Sequence, residues 1–196
     1  MAASAFATKA TSNEGGNFEL PPGGSYPAVL IGLVDLGTHT DTFNNEAKDS
    51  RKIMFVWELT SEHQENGETF VVGQAYTWSL NKKAKLRPMI EGWTGKVLSD
   101  SEEFDPLTLM GRTCVVNLTE GETGAGKKFV NVTSVTPPMK GLTVPPSTRE
   151  QFVFHLSMIN SALDPLPIPE WCPRVYGTEV VAKIKASHEF QKLPNF

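Results

Sequence analysis

The sequence has few of the residues that mark a metal site or a disulfide scaffold. It contains two cysteines, Cys114 and Cys172, with no Cys-x-x-Cys motif and no pair of histidines at ligand spacing. This pattern argues against a zinc site and against a disulfide framework. Cys114 lies in an apolar stretch and is predicted to be a buried thiol. The sequence therefore predicts no metal and no cofactor.

An excess of positive charge and a long apolar run are also missing. The formal net charge is −4, which disfavours a protein that coats duplex DNA by bulk charge but allows a local basic groove. No apolar run approaches the roughly 18 residues of a membrane span. The stretch Met1–Ala7 has no basic n-region and is too short for a signal peptide. We expect no membrane partner and a cytoplasmic location, in the host cytoplasm if a phage encodes the protein.

The composition divides the 196 residues into three parts. Residues 1–24 are rich in Ala, Ser, Asn and Gly and are predicted to form a flexible arm. Residues 25–139 carry strand patterns and are predicted to form one domain. Residues 140–196 form a proline-rich extension, for which we predict a short helix at Arg149–Ser161 and an amphipathic helix at Thr178–Glu189.

Five segments of the middle part have strand character. In the second, Ile53, Phe55 and Trp57 alternate with less apolar positions, and Asn66-Gly67 after it marks a hairpin turn. The predicted strands are Tyr26–Thr38, Arg51–Thr60, Thr69–Leu80, Thr113–Thr119 and Phe129–Val135. Between the third and the fourth, a short helix is predicted from about Arg87 to Gly92.

This order of elements predicts a mainly β protein with an OB-fold. Three meandering strands, a helical insert and a two-stranded hairpin make the five-stranded barrel of that fold. Its usual ligand surface consists of strands 2–3 with the loops that join strands 1–2 and 4–5. The helical insert lies between strands 3 and 4, and the helical extension follows the barrel.

The most distinctive segment is an aromatic strand that leads into a basic run. Tyr76 and Trp78 precede four basic residues within six positions, starting at Lys82. Aromatic rings stack on exposed bases while cations follow the phosphates, so the segment suits a single-stranded nucleic acid. The other interpretation is a strand end with core rings and solvated lysines. The candidate nucleic-acid-binding residues are Arg51, Lys52, Trp57, Tyr76, Trp78, Lys82, Lys83, Lys85, Arg87, Lys127 and Lys128.

Each aromatic candidate has two interpretations. Trp57 shares a strand face with Ile53 and Leu59, which favours the barrel interior over stacking. For Tyr76 and Trp78, interior packing and base stacking are equally favoured, and of the two we expect Tyr76 to lie closer to the ligand and Trp78 to be partly buried. A bulge near Gly73 would exchange the two faces of that strand.

No set of residues supports catalysis. The glycine-rich loop that ends at Lys128 departs from the phosphate-loop pattern and joins two strands. The four histidines lie in separate segments, and no catalytic triad can be argued from their spacing. The sequence predicts a non-enzymatic protein.

Short motifs are spread over roughly residues 24–190. They are Gly24–Gly37, Val56–Leu59, Tyr76-x-x-Ser79-Leu80, Lys83-Ala-x-Leu86-Arg87, Glu91-x-Trp93-x-Gly95, Leu109-x-Gly111 and Ile184-x-x-Ser187-x-Glu189-Phe190. Through them the chain resembles a family of phage and prophage proteins that bind single-stranded DNA through an OB-fold. The resemblance implies sequence-nonspecific binding in phage-type DNA replication or recombination. The partners it implies are single-stranded DNA, replication or recombination proteins, and further copies of the chain.

The alternative prediction is an OB-like adaptor. Such a protein would use its surface to dock a replication or recombination enzyme instead of DNA. A comparison of binding to single-stranded and to duplex DNA distinguishes the two predictions.

Overall fold

The structure is a computed structural model that describes residues 19–43, 46–124, 126, 128–159, 166–174 and 178–193. The fold is mainly β, as the sequence predicts, with six strands in one sheet and few, short helices. The strands are β1 (Gly24–Phe43), β2 (Glu46–His63), β3 (Thr69–Thr77), β4 (Thr113–Glu122), β5 (Lys128–Thr136) and β6 (Phe152–Phe154). Residues 1–18 of the predicted arm lie outside the described residues.

The long strand β1 organises the sheet. The strand order is β3-β2-β1-β4-β5, and β6 pairs with β1 in parallel. Because a strand has two edges and β2 occupies one of them, β4 and β6 share the other. Along that edge, β4 pairs with Gly24–Val29 and β6 with Gly32–Val34. The end strands β3 and β5 approach each other, although no backbone ladder joins them within the described residues.

A helix lies between β3 and β4, as predicted. Helix α1 (Leu86–Thr94) includes Pro88 in its first turn. Backbone N–H groups in the first turn have no partner within the helix, so the missing N–H of proline costs no hydrogen bond there. It ends at Gly95, whose φ of 69° is easily adopted by glycine. The apolar side of α1, with Ile90 and Trp93, is buried against the sheet.

Two hydrophobic cores lie on opposite faces of β1 and β2. The inner core contains the alternating residues Phe55 and Trp57 of β2 together with α1. The outer core contains Met54 and Val56 of β2, which are fully buried beneath the chain that follows β5. The residues that this later chain contributes to the outer core are Phe154, Leu166, Cys172, Val180 and Ile184. Both faces of β2 are therefore interior.

The predicted helix at Arg149–Ser161 is wrong for the residues that the structure describes. The segment instead contains β6, a sixth strand beyond the five predicted, and a single 3-10 turn at Leu156–Met158. The ring of Phe152 lies over Gly32, where an added Cβ would come within 2.4 Å of it. Gly32 thus leaves room for β6 to pair with β1, so tertiary contact decides the local conformation.

The predicted helix at Thr178–Glu189 is two shorter helices. These are α2 (Val180–Lys185) and α3 (His188–Gln191). Between them Ser187 interrupts the helix, and its Oγ accepts a hydrogen bond from the Phe190 N–H, which caps α3. No helix in the described part of the chain is long and apolar enough to cross a membrane.

Candidate functional site

Trp78 lies just beyond the end of β3 and is half-buried. Its backbone N–H donates to the carbonyl of Arg51 at 2.8 Å, which extends the pairing of β2 and β3 by one step. The Arg51 guanidinium lies over the indole ring, 5.0 Å from its centroid. The His155 ring meets the indole edge-on at 6.1 Å. Trp78 is therefore held in place by a cation on its face and by an imidazole at its edge.

Asp35 fixes the position of Arg51. The Arg51 Nε and Nη2 donate to the two carboxylate oxygens of Asp35 at 3.2 and 2.5 Å. Asp35 is only 2% exposed and also accepts from the Gly37 and Leu156 backbone N–H groups. The hydrogen bond to Asp35 raises the pKa of Arg51. Asp35 offsets the charge of Arg51, so the pair adds little net positive charge. The main contribution of Arg51 is a planar guanidinium that is fixed beside Trp78.

The three lysines that follow Trp78 differ in their partners. Lys82 Nζ pairs with Asp100 at 2.8 Å. Lys83 and Lys85 are exposed and make no ion pair with any residue that the structure describes. These two side chains carry positive charge that no carboxylate of the described chain offsets.

Arg87 is placed differently from what the basic run predicts. Its side chain is 10% exposed and pairs with Glu91 at 3.0 Å and with Asp100 at 2.9 Å. It also donates to the carbonyls of Leu98 and Leu80. Hydrogen bonds to Glu91 and Asp100 raise the pKa of Arg87. Arg87 therefore joins α1 to the loops around it instead of presenting its charge to solvent.

Lys52 is also paired within the protein. Its Nζ lies 2.5 Å from the carboxylate of Asp41 and 3.2 Å from Thr77 Oγ1. The hydrogen bond from Lys52 is the main cause that lowers the pKa of Asp41. Lys52 thus ties the β1–β2 hairpin to the end of β3.

Trp57 and Tyr76 lie in the inner core. Trp57 is 0% exposed and stacks with Phe55 at 5.8 Å, and Tyr76 meets Phe55 edge-on at 5.7 Å. The pairing of β2 with β3 is regular past Gly73, so no bulge exchanges the faces. A base can reach Trp57 only if this core opens. Trp57 and Tyr76 are therefore interior side chains, and Tyr76 does not lie closer to the surface than Trp78.

The two lysines of the β4–β5 hairpin are only partly described. Lys127 lies outside the described residues. Lys128 is exposed at the start of β5 and faces Glu122 across the hairpin without forming an ion pair within the described chain. A role of this hairpin in binding stays a prediction.

Two residues of this cluster were not among the candidates: Asp35, which positions Arg51, and His155, which contacts Trp78. Asp35 interrupts an apolar strand, and a charge in such a position signals a buried ion pair. His155 gave no such signal, because β6 brings it to Trp78 from a distant part of the sequence.

Comparison with protein-family models and with curated proteins finds no match to this chain. Among the described residues, no group of three or more His, Cys, Asp or Glu side chains is placed to hold a metal ion. The function is therefore inferred from the surface around Trp78.

Proposed function

We propose that the protein binds single-stranded DNA without sequence preference and acts in phage-type DNA replication or recombination, with no catalytic activity. The observation that carries the proposal is the indole of Trp78, fixed by Arg51 and followed five and seven residues later by Lys83 and Lys85, which make no ion pair with the described residues. A fixed ring offers a stacking platform for a base, and nearby ammonium groups meet the phosphates. We call Arg51, Trp78, Lys82, Lys83 and Lys85 the aromatic–basic surface.

We further propose that the sheet is an OB-fold barrel. Support comes from the order of the elements, since β1 pairs with both β2 and β4, β5 follows β4, and α1 lies between β3 and β4. The approach of β3 to β5 is consistent with a barrel that closes at these strands. In this fold Arg51 and Trp78 lie where strands 2 and 3 leave the barrel, near the loop joining strands 1 and 2.

The charges favour single strands over duplex. The chain has a net charge of −4, and two of the four cations of the aromatic–basic surface, Arg51 and Lys82, are paired with carboxylates. Duplex DNA offers its charged backbone but keeps its bases stacked inside, so it gains nothing from Trp78. A single strand offers both groups, and stacking contributes about 1–3 kcal/mol per base.

A gel shift tests this function. Fluorescent oligothymidine and a duplex of equal length are each titrated with the protein at moderate salt. We expect the single strand to bind much more tightly than the duplex, with an affinity that falls as salt rises. Equal affinity for both would contradict the proposal, and binding of neither would favour the adaptor.

A further inference from the structure

We propose that Trp171 forms a second base-binding position, which takes another nucleotide of the strand held at Trp78. This inference rests on the proposed function and names a residue that the sequence did not suggest. Trp171 is half-buried and follows the proline-rich part of the extension.

The surroundings of Trp171 repeat those of Trp78. The Arg149 guanidinium lies over the Trp171 ring, 5.0 Å from its centroid, which equals the distance between Arg51 and Trp78. The ring of Phe152 meets Trp171 edge-on at 5.3 Å, as His155 meets Trp78. Each tryptophan therefore has an arginine on its face and a second ring at its edge.

Arg149 is also held in place by polar contacts. Its Nη2 pairs with Glu68 at 3.0 Å and donates to the Thr69 carbonyl at 3.2 Å. Its backbone N–H donates to the buried Glu58 carboxylate. The side chain is only 12% exposed, and its Nε has no partner among the residues that the structure describes. The ring of Trp171 is thus pre-positioned, and one buried donor is left over beside it.

A cavity of about 440 Å³ lies at this cluster. Its walls include Arg149, Gln151, Phe152 and Trp171. The volume falls in the range of about 300–1,000 Å³ that is usual for small-molecule sites, and a nucleobase is smaller than most such ligands. The side chains provide a stacking surface together with polar groups that suit the edge of a base.

Strand β6 connects the two tryptophans. Phe152 at its start touches Trp171, and His155 just after its end touches Trp78. Phe152 and His155 are roughly 10 Å apart along the extended chain, which is short beside the length of the about 4–16 nucleotides that one OB-fold covers. The free edge of β6 has no ladder partner in the described chain, and Val153 is exposed there. Trp78 packs against the inner core and Trp171 against the outer core, so a strand of DNA that reaches both rings passes around this free edge of β6.

The charge at Trp171 differs from that near Trp78. Arg149 is paired with Glu68, and Glu150 also lines the cavity. The described residues that line the cavity carry no excess of positive charge, so this position holds a base by stacking and contributes little to phosphate binding. Loss of the Trp171 ring should lower the affinity for single-stranded DNA without changing the salt dependence of binding.

The test variant is Trp171→Leu, and Trp171→Phe is the variant that keeps a ring. Met139→Ala is the control, because Met139 is an apolar residue of another loop and is 74% exposed. Affinity is measured for oligothymidines of increasing length. We expect Trp171→Leu to weaken binding of long oligomers about 5- to 150-fold, with an unchanged salt slope. The shortest oligomers, which reach only Trp78, should lose less, and Trp171→Phe should retain most of the affinity.

The outcomes separate this inference from the proposed function. If Trp78→Leu weakens binding while Trp171→Leu binds every length like the wild type, the second position is wrong and the function stands. If the wild type does not bind oligothymidine, the function itself fails.

A fluorescence titration covers the case in which Trp171→Leu does not fold. In Trp78→Phe, Trp171 is the remaining accessible indole, since Trp57 and Trp93 are fully buried. Long oligothymidine should quench its emission, and an unchanged emission at saturation would overturn the inference.

Discussion

Trp57 in β2 and Trp78 just after β3 both face the inner core, yet their surroundings differ sharply. Trp57 is enclosed by Phe55 and Trp93 in the inner core. Trp78 lies one step beyond β3, against Arg51 and the His155 ring. The alternation that places a ring in the core continues past the end of the strand, where polar side chains replace the apolar ones. The same residue type therefore stabilises the fold at one position and is available to a ligand at the other.

The first prediction tests the interior side of this comparison. Trp57→Ala should lower the free energy of unfolding by about 3–5 kcal/mol, because it leaves a large cavity between Phe55 and Trp93. Urea denaturation measures the loss. If Trp57→Ala instead unfolds like the wild type but binds DNA weakly, Trp57 belongs to the ligand site and the comparison fails.

The second prediction concerns the other face of β2, at the residue next to Trp57. Burial of Glu58 would raise its pKa, but hydrogen bonds from Ser147, Thr148 and Thr69 outweigh burial and lower the pKa from 4.5 to about 2. A lowered pKa stabilises the folded state above pH 4.5, and this contribution is lost as the pH falls toward 2. At pH 7 it amounts to about 3 kcal/mol.

Glu58→Gln tests this contribution. We expect the variant to unfold more easily than the wild type at pH 7 by up to about 3 kcal/mol and the difference to shrink as the pH falls toward 2. Glu103→Gln, at an exposed glutamate, is the control and should change little. A difference that does not depend on pH would mean that the charge of Glu58 does not stabilise the contact with residues 147–149.

The third prediction tests the surface side. Trp78→Leu should weaken binding of oligothymidine by about 1–3 kcal/mol, because a stacking ring is lost. The free energy of unfolding should fall by less than in Trp57→Ala, since Trp78 is only half-buried. Titration and urea denaturation of the same preparation give both values. A large loss of stability with normal binding would assign Trp78 to the core.

The smallest effect is expected from the lysines. Lys83→Ala with Lys85→Ala should lower affinity and make the slope of log K against log salt less negative by about 1.4, at roughly 0.7 per phosphate. Stability should change by less than about 0.5 kcal/mol, because both side chains are exposed. Lys140→Ala with Lys192→Ala removes the same charge from exposed positions outside the aromatic–basic surface. An equal change in slope in both double variants would show that only overall charge matters.

Local patterns sufficed to predict five strands of the middle part and α1. They did not predict that β1 continues to Phe43 and that β2 begins at Glu46, where polar residues favour a loop. Alternation along β2 and the turn at Asn66-Gly67 are local signals, and β2 and β3 form the expected hairpin. The outer core was missed because Met54 and Val56 looked like the less apolar face, and their covering residues are far away in the sequence. For the same reason β6 was predicted as a helix, since only its pairing with Gly32–Val34 makes it a strand.

For the candidate site, the sequence indicated which residue types are present but not how they are arranged. A basic run shows where charge is, but it does not show which charges are already paired. Arg87 has Glu91 four residues later, a local signal of an ion pair, whereas its contact with Asp100 depends on the fold. Lys83 and Lys85 are exposed, as the interpretation with solvated lysines expects, and a role in binding needs the same exposure.

The central claim is that the aromatic–basic surface around Trp78 binds DNA while Trp57 is interior. Photo-cross-linking tests it most directly. Oligothymidine carrying 5-iodouracil is irradiated with the unaltered protein, and the cross-linked residues are identified by mass spectrometry. The account predicts cross-links at Trp78 and none at Trp57. Cross-links at Trp57, or a saturated complex without any at Trp78, would contradict it.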